Sequence, residues 1–240
     1  MIFDEFEYTN QGGRSHNEDS VGSLKSGESG IFVVADGLGG HRFGETASAC
    51  VRDTLLEGWR PDEENRVQWL EKQIAEANTR LLALWREKNS VLKSTVVALA
   101  VDGGKAVWAN VGDSRLYFFH ACRLYAFTED HSVSYKKYKA GEITREQICR
   151  DEDQSCLLRS IGSEERSEAD IRICDVPLEV GDAFLLCSDG VWEYLKEEEM
   201  LIDLLKAENA REWAELLLLR MMPRLDDGND NLTLLTLMLK

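Results

Sequence analysis

The chain has 240 residues, 28 of them Lys or Arg and 44 Asp or Glu, for a formal net charge of −16. With 43% hydrophobic residues it has the composition of a globular chain able to bury one large core, not that of a disordered one. Its acidity argues against nucleic acid and anionic membrane surfaces as partners, since both require a basic face. No run approaches the 18 or so apolar residues of a membrane span; the longest lie around Leu216 to Leu219 and in the last segment. The stretch Met1 to Asn10 is acidic and has no signal-peptide pattern. Cysteines 50, 122, 149, 156, 174 and 187 are scattered without a CxxC pair, so they read as reduced, packed side chains of a cytoplasmic protein rather than zinc ligands.

Sheet and helix alternate along the chain. Phe3 to Thr9 reads as a first strand, and Ile31 to Ala35 is an apolar run that ends at Asp36-Gly37. Apolar residues at helical spacing (Ala47, Val51, Leu55) predict a helix over Glu45 to Trp59. A second helix is marked by Val67, Leu70, Ile74, Ala77, Leu81 and Leu84, alternately three and four residues apart, which form one stripe. Strands follow at Thr95 to Val101, Ala106 to Val111 and Arg115 to Phe119, and Leu124 to Thr128 closes a hairpin. Residues 131 to 162 are a polar excursion with little strand character. Ala183 to Cys187 is another strand, Lys196 to Lys206 and Ala210 to Met222 are helices, and Leu232 to Leu239 is a last strand. The runs at 31–35, 95–101 and 183–187 are apolar on both faces. Such strands need cover on both sides, which predicts sheet packed on sheet with helices outside.

The chemistry lies at the strand ends. Acidic residues next to Gly, Ser or Asn recur at Asn17-Glu18-Asp19, Asp36-Gly37, Gly112-Asp113-Ser114, Ser188-Asp189-Gly190 and Asp230-Asn231. One Asp-Gly is an ordinary turn dipeptide. Several at the ends of buried strands would bring carboxylates into a small volume, where like charges cannot all stay ionised without a cation. Hard divalent ions such as Mg²⁺ and Mn²⁺ prefer such oxygen ligands. Two of them could polarise a bridging water for phosphoryl transfer. Arg14, just upstream of the first acidic pair, has a guanidinium suited to phosphate.

In order along the chain stand Gly13-Arg14-Ser15-His16-Asn17-Glu18-Asp19-Ser20, Val33-Val34-Ala35-Asp36-Gly37-Leu38-Gly39-Gly40-His41 with Gly44-Glu45, Ser94-Thr95, Ala109-Asn110-Val111-Gly112-Asp113-Ser114-Arg115, Thr128-Glu129-Asp130-His131-Ser132, Leu157-Leu158-Arg159-Ser160-Ile161-Gly162, Ser188-Asp189-Gly190-Val191-Trp192-Glu193 and Asp230-Asn231-Leu232-Thr233. This ordered set, from residue 13 to residue 233, resembles the metal-dependent protein serine/threonine phosphatases of the protein phosphatase 2C (PPM) family in their compact bacterial form.

The resemblance implies an α+β fold, an α-β-β-α sandwich of two mostly antiparallel sheets flanked by helices. It implies one catalytic domain over residues 1–240, with a flap at about 132–161 that influences substrate choice. The cofactor would be two Mn²⁺ or Mg²⁺ ions, with a possible third. Asp36 would bridge both ions, Asp189 and Asp230 would complete the first site, and the Gly37 carbonyl with Glu18 or Asp19 would serve the second. Asp113, with Asp189, would hold the third. Arg14 would bind the substrate phosphate. His41 is the general-acid candidate, although in animal members the corresponding histidine follows the Asp-Gly directly, where this chain has Leu38. His131 reads as orienting a loop, His16 and His120 as peripheral, and Cys156 as a plain flap cysteine. Lys93 departs from the small residue usual before Ser94-Thr95, and the linker Asp226-Asp227-Gly228-Asn229 is short and acidic.

The expected activity is hydrolysis of phosphoserine and phosphothreonine by direct attack of a metal-bridging hydroxide, without a phosphoenzyme. Phosphorylated proteins would be the partners, a Ser/Thr kinase the activity opposed, and a monomer the working state. A catalytically silent phosphatase-like binding module is the alternative; such modules usually lack an Asp ligand, and here none is missing. A calcium-binding structural protein fits less well, because no D-x-D-x-D-G loop with its twelfth-position Glu occurs.

Overall fold

The computed structural model describes residues 1–39 and 43–240. Its elements are β1 (Phe3–Asn10), β2 (Asp19–Ser26), β3 (Ser29–Gly39), α1 (Gly44–Gly58), α2 (Arg66–Lys88), β4 (Leu92–Ser94), β5 (Val96–Asp102), β6 (Lys105–Val111), β7 (Arg115–His120), β8 (Arg123–Phe127), α3 (Val133–Lys139), β9 (Asp170–Ile173), β10 (Ala183–Cys187), α4 (Asp189–Trp192), α5 (Glu197–Leu204), α6 (Ala210–Met221) and β11 (Leu232–Leu239), with short 3-10 turns at Arg145–Arg150 and Met222–Arg224. One sheet runs β1-β11-β10-β7-β8 and the other β2-β3-β5-β6-β9, with β4 paired to β3. Neighbours in both sheets are antiparallel.

Three apolar layers hold this sandwich together. Between the sheets lie Phe32, Val34, Val97, Leu99, Phe118, Phe184, Leu186 and Leu235, all fully buried. Phe118 and Phe184 stack there with ring centroids 4.5 Å apart. The alternate residues of β3 and β5 (Ile31, Val33, Val96, Ala98) face α1 and α2 and meet the Leu70, Ile74, Ala77 and Leu81 stripe. The other sheet is covered by α6, whose Trp213 and Leu217 are fully buried against Phe119 and Leu185. The doubly apolar runs of the sequence are therefore the strands covered on both sides, as expected.

The helix ends follow their residues. Asn65 caps α2 by accepting from the Gln68 amide, Ser132 caps α3 through Tyr135, and Asn209 caps α6 through Glu212. Four elements were not foreseen in the sequence: β2, β4, β9 and the single turn α4. The polar excursion contains α3 and the 3-10 turn Arg145–Arg150.

Candidate metal and phosphate site

All five aspartates that the sequence singles out at strand ends lie at one end of the sandwich. Asp19 opens β2 and is in register with Asp36 near the end of β3. Asp113 sits in the turn from β6 to β7, where the chain crosses from one sheet to the other. Asp189 follows β10 and Asp230 precedes β11, two strands paired in the other sheet.

Local contacts fix each position. The Asp36 amide donates to Thr95 Oγ1 (2.9 Å), its carbonyl accepts from the Ser94 hydroxyl (2.9 Å), and Thr95 in turn bonds Ser114 beside Asp113 (2.7 Å). The Ser188 hydroxyl donates to Asp19 Oδ2 (2.7 Å), which ties the two sheets at the cleft. The approach there is so close that a Cβ on Gly190 would stand 2.1 Å from the Asn231 carbonyl oxygen. Gly37 is equally confined: its carbonyl lies against Gly44 at the start of α1, and a Cβ would meet the Gly44 oxygen at 1.9 Å.

Asn231 organises the loop from β1 to β2. Its side chain donates to the carbonyls of Gln11 (2.8 Å) and His16 (2.9 Å) and accepts from the Glu18 amide (2.8 Å). That loop carries Arg14, whose Nε and NH2 donate to the two carboxylate oxygens of Asp230 at 3.1 and 2.7 Å. The Arg14 side chain is 56% exposed, so it stands at the cleft mouth.

The structure separates Glu18 from Asp19. The Glu18 carboxylate accepts from the Gly44 amide. It thus serves the N-terminus of α1, where Phe43 provides no side-chain cap. Asp19 is buried instead, directly across the strand pair from Asp36, and accepts from the Ser188 hydroxyl.

Burial and mutual repulsion dominate the electrostatics. Burial pushes the Asp19 carboxyl up to about 6, with Asp230 adding to the shift and the Thr233 and Ser188 hydroxyls opposing it. Asp36 is raised well above the usual carboxylate range by burial and by the charges of Asp19, Asp189, Asp113 and Asp230. Asp113 is raised by burial, then by Asp189 and Asp130. Asp189 is pushed up to about 7 by burial and by Asp230 and Asp19, and Glu193, beside it, to about 8 by burial and by Asp189 and Asp230. Two like charges about 4 Å apart repel by about 4 kcal/mol at an effective dielectric near 20. One exposed arginine cannot offset several such pairs.

Among the described residues no three acidic, His or Cys side chains are gathered closely enough to enclose an ion. Their oxygens are engaged by protein donors: Asp230 by Arg14 and Asp19 by Ser188. The donor set nevertheless fits hard divalent ions. It is all oxygen, it has excess negative charge, and burial makes proton or metal uptake the way to relieve that charge.

His41 lies outside the described residues. His131 has a positioning role: Nδ1 accepts from the Gly112 amide (3.2 Å) and Nε2 faces Asp170 (3.2 Å). His16 is exposed, and His120 pairs with Asp182 (2.8 Å) at the far end of β7. Cys156 is an exposed free thiol. Ser188, Thr95, Glu193 and Asn231 stand in the sequence only as members of the matching motifs, and no chemical role is assigned to them there.

The family model for Protein phosphatase 2C matches residues 9–217. The serine/threonine phosphatase stp of Listeria welshimeri serovar 6b is 35% identical over 232 residues, 92% of this chain and 90% of the relative. The solved structure of serine/threonine phosphatase Stp1 from Staphylococcus aureus is similar with a TM-score of 0.87 at 27% identity, over 100% of this chain and 96% of that one. That of the catalytic domain of protein phosphatase PstP in complex with two manganese ions has a TM-score of 0.84 at 25% identity, over 98% and 97%. Sandwich and carboxylate cleft together define a metal-dependent phosphatase. The chain belongs to the protein phosphatase 2C family.

Proposed function

We infer that this phosphatase removes phosphate from phosphoserine and phosphothreonine in proteins, and that its cleft carboxylates hold Mn²⁺ or Mg²⁺. The observation that carries this reading is the convergence of Asp19, Asp36, Asp113, Asp189 and Asp230 from both sheets, with their raised carboxyl pKa values and Arg14 alongside. Asp36, Asp189 and Asp230 would hold one ion, Asp36 with the Gly37 carbonyl and Asp19 a second, and Asp113 with Asp189 a third. Such ions supply positive charge for the phosphoryl oxygens and lower the pKa of water.

The protein's own groups perform the rest. Arg14 is the phosphate ligand: its fork can leave one Asp230 oxygen for two phosphoryl oxygens while keeping its charge at the cleft mouth. Asn231 keeps Arg14 in range by pinning the loop at Gln11, His16 and Glu18. Asp19, Asp36 and Asp189 are set by backbone and hydroxyl contacts before substrate arrives, so little reorganisation is needed during reaction. The segment 132–161 is the flap of a single catalytic domain, reaching the cleft where Gln154 bonds Glu193. Phosphorylated proteins, including those of a Ser/Thr kinase, are the substrates, and the protein acts as a monomer in the cytoplasm. No helix among the described residues is long and apolar enough to cross a membrane.

The test is hydrolysis of a phosphothreonine peptide after chelation and then with added Mn²⁺ or Mg²⁺. Turnover restored by metal and abolished in Asp189→Asn supports the reading. A folded protein inert with both ions overturns it in favour of a silent binding module.

A further inference from the structure

Arg115 and Asp130 form a buried ion pair behind the cleft. Arg115 Nε and NH2 donate to the two Asp130 oxygens at 2.7 Å each, and the side chains are 4% and 1% exposed. The guanidinium carbon lies over the Trp192 ring, 3.4 Å from its centroid, and NH1 donates to the Tyr117 hydroxyl (3.2 Å). Trp192 Nε1 donates to the Asp113 carbonyl oxygen (2.9 Å). On the other side, the His131 amide donates to the Gly112 carbonyl (2.8 Å). The turn that carries Asp113 is thus gripped from both sides, and one grip is the helix that begins at Asp189.

A buried pair is a poor way to gain stability, because desolvation of both charges consumes most of their attraction. Its distinctive property is direction. A bidentate fork stacked on a ring has one orientation, and here it locks Trp192 at the point where Trp192 holds Asp113. Asp189 opens the one-turn helix that Trp192 closes, so the bond from Trp192 to the Asp113 carbonyl ties these two acidic positions together. A carboxylate pair that is to share an ion needs a fixed spacing, and outer contacts of this kind set it.

We propose that the Arg115–Asp130 pair, stacked on Trp192, is a positioning element that holds Asp113 at its working distance from Asp189. The proposal rests on the metal reading above. Arg115, Asp130 and Trp192 touch no substrate; they act through Asp113.

The decisive variant is the double replacement Arg115→Met with Asp130→Leu, which removes both charges without leaving either buried alone. Trp192→Phe is its companion, since it keeps a ring beneath the guanidinium and removes the N–H that holds Asp113, together with part of the buried ring. Mn²⁺ binding is read by calorimetry on chelated protein, beside the melting temperature and phosphopeptide turnover. The weakest Mn²⁺ event is expected to lose about 10-fold in affinity in both variants, with the melting temperature of Trp192→Phe lowered but the protein folded at the assay temperature. Wild-type Mn²⁺ affinities in Trp192→Phe would overturn the proposal, even if the double variant failed to fold. A wild-type protein that binds no Mn²⁺ would overturn the metal reading and this proposal together.

Discussion

Asp19 and Asp36 are buried and directly opposite each other across paired strands, and their charges repel, so a proton or a metal has to mediate between them. Their neighbour Glu18 is spent on the first amide of α1. Asp19→Ala is therefore expected to weaken Mn²⁺ binding at least 10-fold, and Glu18→Gln far less, as read by calorimetry. The reverse order would show that Glu18 leaves α1 to become the ligand. The same residues give the chelated protein an unusual pH dependence. Asp19 and Asp189, raised to about 6 and about 7 in the fold, bind protons there that the unfolded chain releases near 4. A carboxylate with a raised folded pKa favours the folded state at low pH and loses that advantage as pH rises through the folded value. The melting temperature of chelated protein should thus fall from about pH 4 to about pH 7 and level off above that, and Asp189→Asn should flatten the fall. An identical slope in that variant would refute the link.

At the scale of elements, the cleft depends on how closely strand ends approach. β10 and β11 bring Asp189 and Asp230 together because Gly190 leaves room for the Asn231 backbone. Gly190→Ala forces a Cβ onto a backbone oxygen 2.1 Å away and should cost about 2–3 kcal/mol in denaturant unfolding. A stable, fully active Gly190→Ala would mean that the two strand ends have slack. Asn231→Ala should leave the sheets intact but release the Arg14 loop, so KM for phosphopeptide should rise several-fold with kcat changed less. An unchanged KM would separate Asn231 from phosphate binding. Much of this level was legible beforehand. The α2 stripe, the strands at 183–187 and 232–239 and the acidic strand ends declare themselves by periodicity and by Asp next to Gly or Asn. β2 escaped notice because Asp19-Ser-Val-Gly-Ser-Leu-Lys-Ser has only two large apolar side chains; it is a strand because β3 pairs with it along its whole length. β9 is a short edge strand with an exposed end, and edge strands carry little apolar signal. Arg115 with Asp130, and Asn231 with residues 11 to 18, are partners set by topology; no spacing along the chain announces them.

The whole molecule carries −16 charges, and its cleft concentrates several of them. A substrate phosphate approaches against that field, and on the proposed reading bound metal and Arg14 would reverse it locally. Phosphopeptides flanked by Lys or Arg should therefore have lower KM than those flanked by acids, and the advantage should shrink as salt rises toward 0.5 M. Equal KM values at low salt would show that the bound ions neutralise the cleft completely. Stability is lodged elsewhere. Trp213, fully buried on the inner face of α6 with its indole N–H donating to the Met200 carbonyl (3.1 Å), is expected to cost about 3–5 kcal/mol as Trp213→Ala. Retained stability in that variant would mean the layer outside the β10 sheet is dispensable.

β11 lies between β1 and β10, and it is introduced by Asp230 and Asn231. It is also the last of these elements to be translated. A ribosome-bound chain that has exposed everything up to Gly228 therefore holds β1 and β10 with open edges, an Arg14 loop without its anchor and a cleft without Asp230. One strand thus both closes a sheet and completes the cleft, so a chain cut before Asp230 would expose the sheet edges that β11 covers and lack the Asp230 carboxylate.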